Sequence, residues 1–207
     1  MLTRKLIYTA SIAALAFGFS QGGLAQSTAT SPSTSTTKPA ATQSTGSTHA
    51  ANLSHGDRKF IEEAAQGGMA EVEFGKLAQQ KAASDQVKQF GKRMVDDHQK
   101  ANEQLKKLAS NKGVNLPAEM TSSERRELDK LQKKSGADFD REYMKEMVSD
   151  HKKDVKDFES AAKKADDADI KNFASTTLPT LQQHLELAQQ TENVAKSEGN
   201  QKTSSAR

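Results

Sequence analysis

Four stretches of this chain place apolar residues three and four positions apart, a spacing that only helices packed along one face can bury. In the first, Phe60, Ala64, Gly67, Glu71, Phe74 and Ala78 share a face of a helix expected from an Asp57 cap to about Ala83. The second opens at Ser84 or Asp85 and ends near Lys112-Gly113, with Val87, Phe90, Met94, His98, Ala101, Leu105 and Leu108 in its stripe. The third runs from about Ala137 to Lys164 and aligns Tyr143, Met147, His151, Asp154 and Phe158. The fourth, capped by Asp166 or Asp167, carries Ile170, Phe173, Thr177, Leu181, His184, Leu185 and Ala188, with Pro179 expected to kink it.

The links between these stretches set the topology. The first two helices are joined almost directly, as are the last two, so each pair forms an antiparallel hairpin. More than twenty residues separate the hairpins. They hold a short amphipathic helix that opens at Thr121 or Ser122, passes through Leu128 and Leu131, and stops at Gly136. Such a link can travel the length of a bundle, about 40 Å at 1.5 Å per residue. The expected class is therefore all-α, a ferritin-like four-helix bundle with a long crossover carrying a short helix between helices 2 and 3. An up-down-up-down bundle with an ornamented loop is the alternative. An internal echo ties the hairpins together: Phe90 to Lys100 and Tyr143 to Lys153 share the pattern aromatic-x-Lys-x-Met-Val-x-Asp-His-x-Lys.

Composition narrows the function classes. Of the 30 basic residues, Arg4, Lys5 and Lys38 precede Leu53, whereas all 27 acids follow it, so the helical part is balanced at 27 each. A nucleic-acid partner held by a globally basic surface is not expected. The absence of Cys excludes disulfides, thiolate metal sites, Cys nucleophiles and an acylated cysteine anchor. No Gly-rich phosphate loop, HExxH zinc motif or Ser/Thr nucleophile paired with a His is present.

Residues 1–25 have the plan of an export signal. Arg4 and Lys5 precede an apolar run of 14 residues, Leu6 to Phe19, and Gly23-Leu24-Ala25 offers small residues for cleavage. A membrane-spanning helix needs about 20 apolar residues, and no later segment is apolar enough. Residues 26–52 read as a disordered linker, with 14 of 27 positions Ser or Thr and no acidic or aromatic residue. The helical domain is expected over residues 53–195 and a disordered tail over 196–207.

These motifs resemble a bacterial family of exported proteins classed as a domain of unknown function, family 4142. The likeness rests on Phe60 to Ala78 with Gly67-Gly68 and Ala70-Glu71-Val72, then Met94-Val95-Asp96-Asp97-His98, Phe139-Asp140-x-x-Tyr143, Asp150-His151, and Leu178-Pro179 with His184. The resemblance implies a ferritin-like bundle and a place in the cell envelope, at the periplasm or the outer-membrane periphery, and no activity. The Glu-x-x-His pattern of ferritin di-iron sites is missing, since Val95, Val148 and Leu181 precede His98, His151 and His184 by three residues.

What remains is the set of polar residues on apolar faces. Glu71, His98, His151 with Asp154, and His184 give each long helix an inward polar group. Counting from the helix ends puts Glu71, His98 and His151 at one level, with His184 about one turn away, ~5–6 Å. Three readings are open. Glu71, His98, His151, Asp154 and His184 form a zinc or iron site; or Met94, Met147, His98 and His151 form a softer copper site; or Glu71 and the histidines pair with one another as a buried layer that sets helix register. Gly67-Gly68 serves either close helix approach or room for a ligand beside Glu71. Asp97 and Asp150 are read as partners of nearby lysines, and Leu128 and Leu131 either pack on the bundle or dock a membrane or protein partner. The expected role is non-enzymatic, in the envelope or in stress tolerance, with binding of a transition metal as the alternative.

Overall fold

The structure, a computed structural model, describes residues 53–205, with side chains through Ser197. Five helices follow one another: α1 His55–Lys81, α2 Asp85–Asn111, α3 Ser122–Gln132, α4 Gly136–Lys164 and α5 Ala168–Ser205, with no strand among the described residues. The expected signal and linker lie outside them. The backbone of α5 passes through Pro179 unbroken and runs beyond Lys196, where the sequence pattern places a tail. No proline follows Pro179 to stop the helix.

α1 packs on α2 and α4 on α5, each pair a hairpin, while α1 also meets α4 and α2 meets α5. Direction follows from two aspartates. The carboxylate of Asp140, near the start of α4, accepts from the backbone N–H groups of Ala83 and Ser84 at 3.0 and 2.9 Å, in the α1–α2 turn. That of Asp57, near the start of α1, accepts from Asp166 and Asp167 at 3.2 and 2.9 Å, in the α4–α5 turn. The start of each hairpin therefore caps the turn of the other, and α2 and α4 point the same way. This is the ferritin-like connection, and the up-down-up-down alternative is excluded because it would set α2 and α4 antiparallel.

Asp57 was expected to cap its own helix. Ser54 does so instead, its hydroxyl accepting from the Asp57 N–H at 3.1 Å, which frees the Asp57 carboxylate for the opposite hairpin. Asp167 is the α5 cap, accepting from Asp169 and Ile170 at 3.0 and 3.2 Å. Thr121 and Glu124 close α3 with a capping box.

The crossover helix lies against the bundle. Leu131 is fully buried and Leu128 packs on the same cluster, so their apolar face is not offered to a membrane or partner. The core falls into two parts. One contains Phe74, Phe90, Met94, Phe139, Tyr143 and Met147. The other contains Ile61, Leu105, Phe158, Ile170, Phe173 and Leu181. In α2, α4 and α5 the inward histidine lies in the sequence between the helix's contributions to the two clusters, and in α1 Glu71 adjoins Ala70 at the edge of the first, so a polar layer lies between the two apolar parts.

Candidate metal centre

Each long helix supplies one side chain to this layer: Glu71 from α1, His98 from α2, His151 from α4 and His184 from α5, all four residues buried. One ring nitrogen of each histidine lies within 4.8 Å of those of the other two. The ring centroids of His98, His151 and His184 are 5.3 to 5.7 Å apart. His184, expected one turn away, thus joins the same centre.

The other nitrogen of each ring is held by an oxygen. Nδ1 of His98 lies 2.9 Å from Glu71 Oε2. Nδ1 of His151 lies 2.9 Å from the Met147 carbonyl oxygen, and Nε2 of His184 lies 2.8 Å from Asp97 Oδ2. A carbonyl or an ionised carboxylate only accepts, so each of these nitrogens carries the hydrogen. In the neutral rings the remaining nitrogens bear lone pairs, and those of His151 (Nε2) and His184 (Nδ1) face each other at 3.4 Å. His98 Nε2 is buried without a hydrogen-bond partner.

Electrostatics keeps two of the three rings in this form and favours the charged form of His98. Burial lowers the pKa of His151 and takes that of His184 to about 4, which keeps both rings neutral. Burial acts on His98 in the same sense, but the Glu71 charge and hydrogen bond outweigh it and raise its pKa. Glu71 would be raised by burial, yet the neighbouring imidazoles, His98 foremost, hold it below the usual carboxylate range. Partial burial pushes Asp97 up, but the His184 hydrogen bond and Arg93 draw it lower on balance.

A cavity of about 50 Å³ adjoins two of the three histidines, with Glu71, Asp97, His98, Asp154 and His184 in its wall. Asp154 is half-buried and outside the cluster of convergent ligand atoms. Met94 and Met147 are fully buried in the Phe90–Tyr143 cluster, and neither lines this cavity. The two expected meanings of Gly67-Gly68 separate. A Cβ on Gly68 would stand 2.1 Å from Asn102 Oδ1, so Gly68 allows α1 to approach α2, whereas one on Gly67 would meet nothing within 4 Å.

Two features escape the sequence reading. Asp97 binds His184 as well as Arg93; its place beside His98 turns it about 100° from the core stripe, toward α5. The second is a partly open chamber of about 490 Å³ between α1, α3 and α4, lined by Glu124, Glu127, Glu146, Asp150 and Asp154 and reaching Glu71. Burial and then the neighbouring carboxylates, Glu146 first, push Asp150 up to about 8. Among the described residues Asp150 has no lysine partner, and the crossover that brings α3 over α4 is what gathers these acids.

Residues 42–191 match the family described as a domain of unknown function, DUF4142. The chain belongs to this family. No curated protein matches it in sequence. Solved structures share its fold. A DUF305 fragment from Deinococcus radiodurans superposes with a TM-score of 0.60 at 11% identity, over 70% of this chain and 98% of that one. CopM in the Cu(II)-bound form gives 0.57 at 17% identity, over 66% and 95%. Its Cu(I)-bound form gives 0.55 at 17%, over 65% and 93%. At these identities the likeness shows that this DUF4142 chain has their helical-bundle fold.

Proposed function

We propose that this protein is an exported, non-enzymatic metal-binding bundle that holds one late first-row ion, zinc or copper(II), between His98, His151 and His184. One observation carries the reading. The nitrogens of His151 and His184 that face each other are both lone-pair atoms, 3.4 Å apart in a buried site. Two lone pairs at that distance repel unless a cation lies between them. Two imidazole nitrogens at 2.0–2.1 Å from a tetrahedral zinc are about 3.3 Å apart. His98 Nε2, buried and unpartnered, supplies the third ligand.

The oxygens behind the rings support the same reading. Metal-bound imidazoles donate their other N–H to a carboxylate or carbonyl, which fixes the tautomer and raises ligand basicity. Glu71, Asp97 and the Met147 carbonyl do this for the three rings. The set is all nitrogen, with the methionines elsewhere, which favours zinc or copper(II) over copper(I). A protein of similar fold is described in both Cu(II)- and Cu(I)-bound forms, which supports a metal ion in such a bundle without choosing between the oxidation states. The export signal read over residues 1–25 supports a role in the envelope, as a buffer for metal ions outside the cytoplasm.

The test is elemental analysis of the untagged protein purified without chelators, beside a His98→Ala/His151→Ala variant. Near-stoichiometric zinc or copper, lost in a variant that keeps its helical circular dichroism, is the expected result. Wild type free of metal and unable to take up either ion on titration would overturn the proposal and leave the histidines as a register-setting layer.

A further inference from the structure

The acidic chamber between α1, α3 and α4 is a separate space from the histidine cavity, and the two share part of their walls. Gly67, Glu71 and Asp154 line both. At Gly67 a Cβ would meet nothing within 4 Å, so the missing side chain leaves an opening at the shared wall. Glu71 stands at that opening. Its Oε2 is engaged by His98, but its Oε1 is buried and has no hydrogen-bond partner. Its other near neighbour, His151 Nδ1 at 3.5 Å, is already committed to the Met147 carbonyl.

An anionic oxygen withheld from water and left without a donor requires a positive ligand. The chamber that reaches it carries six further carboxylates, on Glu63, Glu124, Glu127, Glu146, Asp150 and Asp154, of which Glu63 is paired with Lys59. Lys130 holds Glu127, and the chamber-lining Lys153 is drawn off to Asp157 at 2.8 Å. Glu146, Asp150 and Asp154 have no ion pair among the described residues. These acids do not converge tightly enough to form a dehydrated ligand set, since the histidines are the one such group among the described residues. With about 490 Å³ available, the chamber suits a cation that keeps its water shell.

We infer that this chamber captures a hydrated divalent cation and passes it by Gly67 and Glu71 to the three histidines, a route that rests on the proposed metal centre. A negatively lined cleft raises the local cation concentration and speeds entry, and the effect fades with ionic strength. The carboxylates act on the rate of loading, whereas the histidines set the affinity.

Two measurements on the full protein separate the parts. In the first, Mn²⁺ is titrated into isotopically labelled protein and paramagnetic line broadening is followed. Broadening should centre on the amides around Glu127, Glu146 and Asp150, persist in the His98→Ala/His151→Ala variant and vanish in Glu127→Gln/Glu146→Gln. Absence of localised broadening would overturn the capture site whatever the histidines do. In the second, stopped-flow transfer of Zn²⁺ from a chromogenic chelator is timed. At low salt, loading should slow about tenfold in Glu127→Gln/Glu146→Gln, with the final occupancy unchanged. Gly67→Leu, which fills open space, should slow loading at low and high salt alike. Wild-type rates in both variants would overturn the route while leaving the metal centre standing. Wild type that takes up no Zn²⁺ would overturn the metal centre and the route together, with the Mn²⁺ result still deciding the chamber.

Discussion

Glu71 Oε2 and His98 Nδ1 lie 2.9 Å apart, and the two side chains are only 4% and 6% exposed. A charge so deep is tolerated because the imidazole hydrogen is aimed at it, and removing one partner from such a pair costs about 3–5 kcal/mol. Glu71→Ala should therefore destabilise the metal-free domain by about that amount. Glu71→Gln, which still offers His98 an oxygen, should cost less in stability but lower metal affinity about 10- to 100-fold through a less basic imidazole. Urea unfolding in chelator and a metal titration read the two effects. Unchanged affinity in Glu71→Gln would show that Glu71 does not tune the centre.

The metal-free domain should lose stability on mild acidification. His184 has a pKa of about 4 in the fold against 6.5 as its ordinary value, so between those limits the unfolded chain binds a proton that the folded chain refuses. Stability from this group is complete above pH 6.5 and is lost as pH falls to 4. His151 acts in the same sense. His98 opposes them, since its raised pKa gives stability that is present below 6.5 and lost as pH rises through the folded value. Glu71 adds a loss from pH 4.5 downward to about 2. In His184→Gln the fall between pH 6.5 and 4 should be smaller by up to about 3 kcal/mol. Equal urea midpoints for wild type and variant at both pH values would contradict this.

Asp57 and Asp140 should act as independent clamps at opposite ends. Each is buried and accepts from two backbone N–H groups of the other hairpin. Asp57→Ala and Asp140→Ala should each cost about 1–3 kcal/mol, by leaving those donors unmet, and the double variant should be additive within about 0.5 kcal/mol. Chemical denaturation of the four proteins tests it. Strong coupling would mean that the two turns unfold as one unit.

Two glycines of α1 should respond in opposite directions. A Cβ at Gly75 would stand 2.6 Å from the backbone oxygen of Gly91, and backbone cannot yield as a side-chain tip can. Gly75→Ala should destabilise by about 1–3 kcal/mol despite better helix propensity. Gly67→Ala meets open space and should stabilise by about 0.5–1 kcal/mol. Thermal melts compare them, and loss of stability at Gly67 would mean that its space is needed by the fold.

Several of these relationships were legible in residue order. The period of three and four gave the long helices to within a few residues, and Gly136 marked the end of the crossover, where it adopts a φ of 60° that side chains disfavour. Counting from the turns brought Glu71, His98 and His151 to one level. It put His184 about one turn away, and the His184 ring lies 5.3 Å from those of both His98 and His151. Asp97 was read as the partner of a nearby lysine because spacing along one helix offers only neighbours within a turn, whereas the structure pairs it with Arg93 and with His184, 87 positions away. The acidic chamber had no linear signature at all, since Glu124 and Glu127 belong to the crossover and Glu146 and Asp150 to α4.

The sequence by itself determined that this chain is helical, where its helices begin, and which of their faces hold a polar residue among apolar ones. Those properties depend on neighbours within about one turn, which the chain order specifies. Only the tertiary structure decided that the crossover sets α2 and α4 parallel, that three imidazole rings converge, and that Gly67 and Glu71 line both the histidine cavity and the acidic chamber. Each of these depends on which hairpin packs against which, and so on distances between atoms that the chain order does not contain.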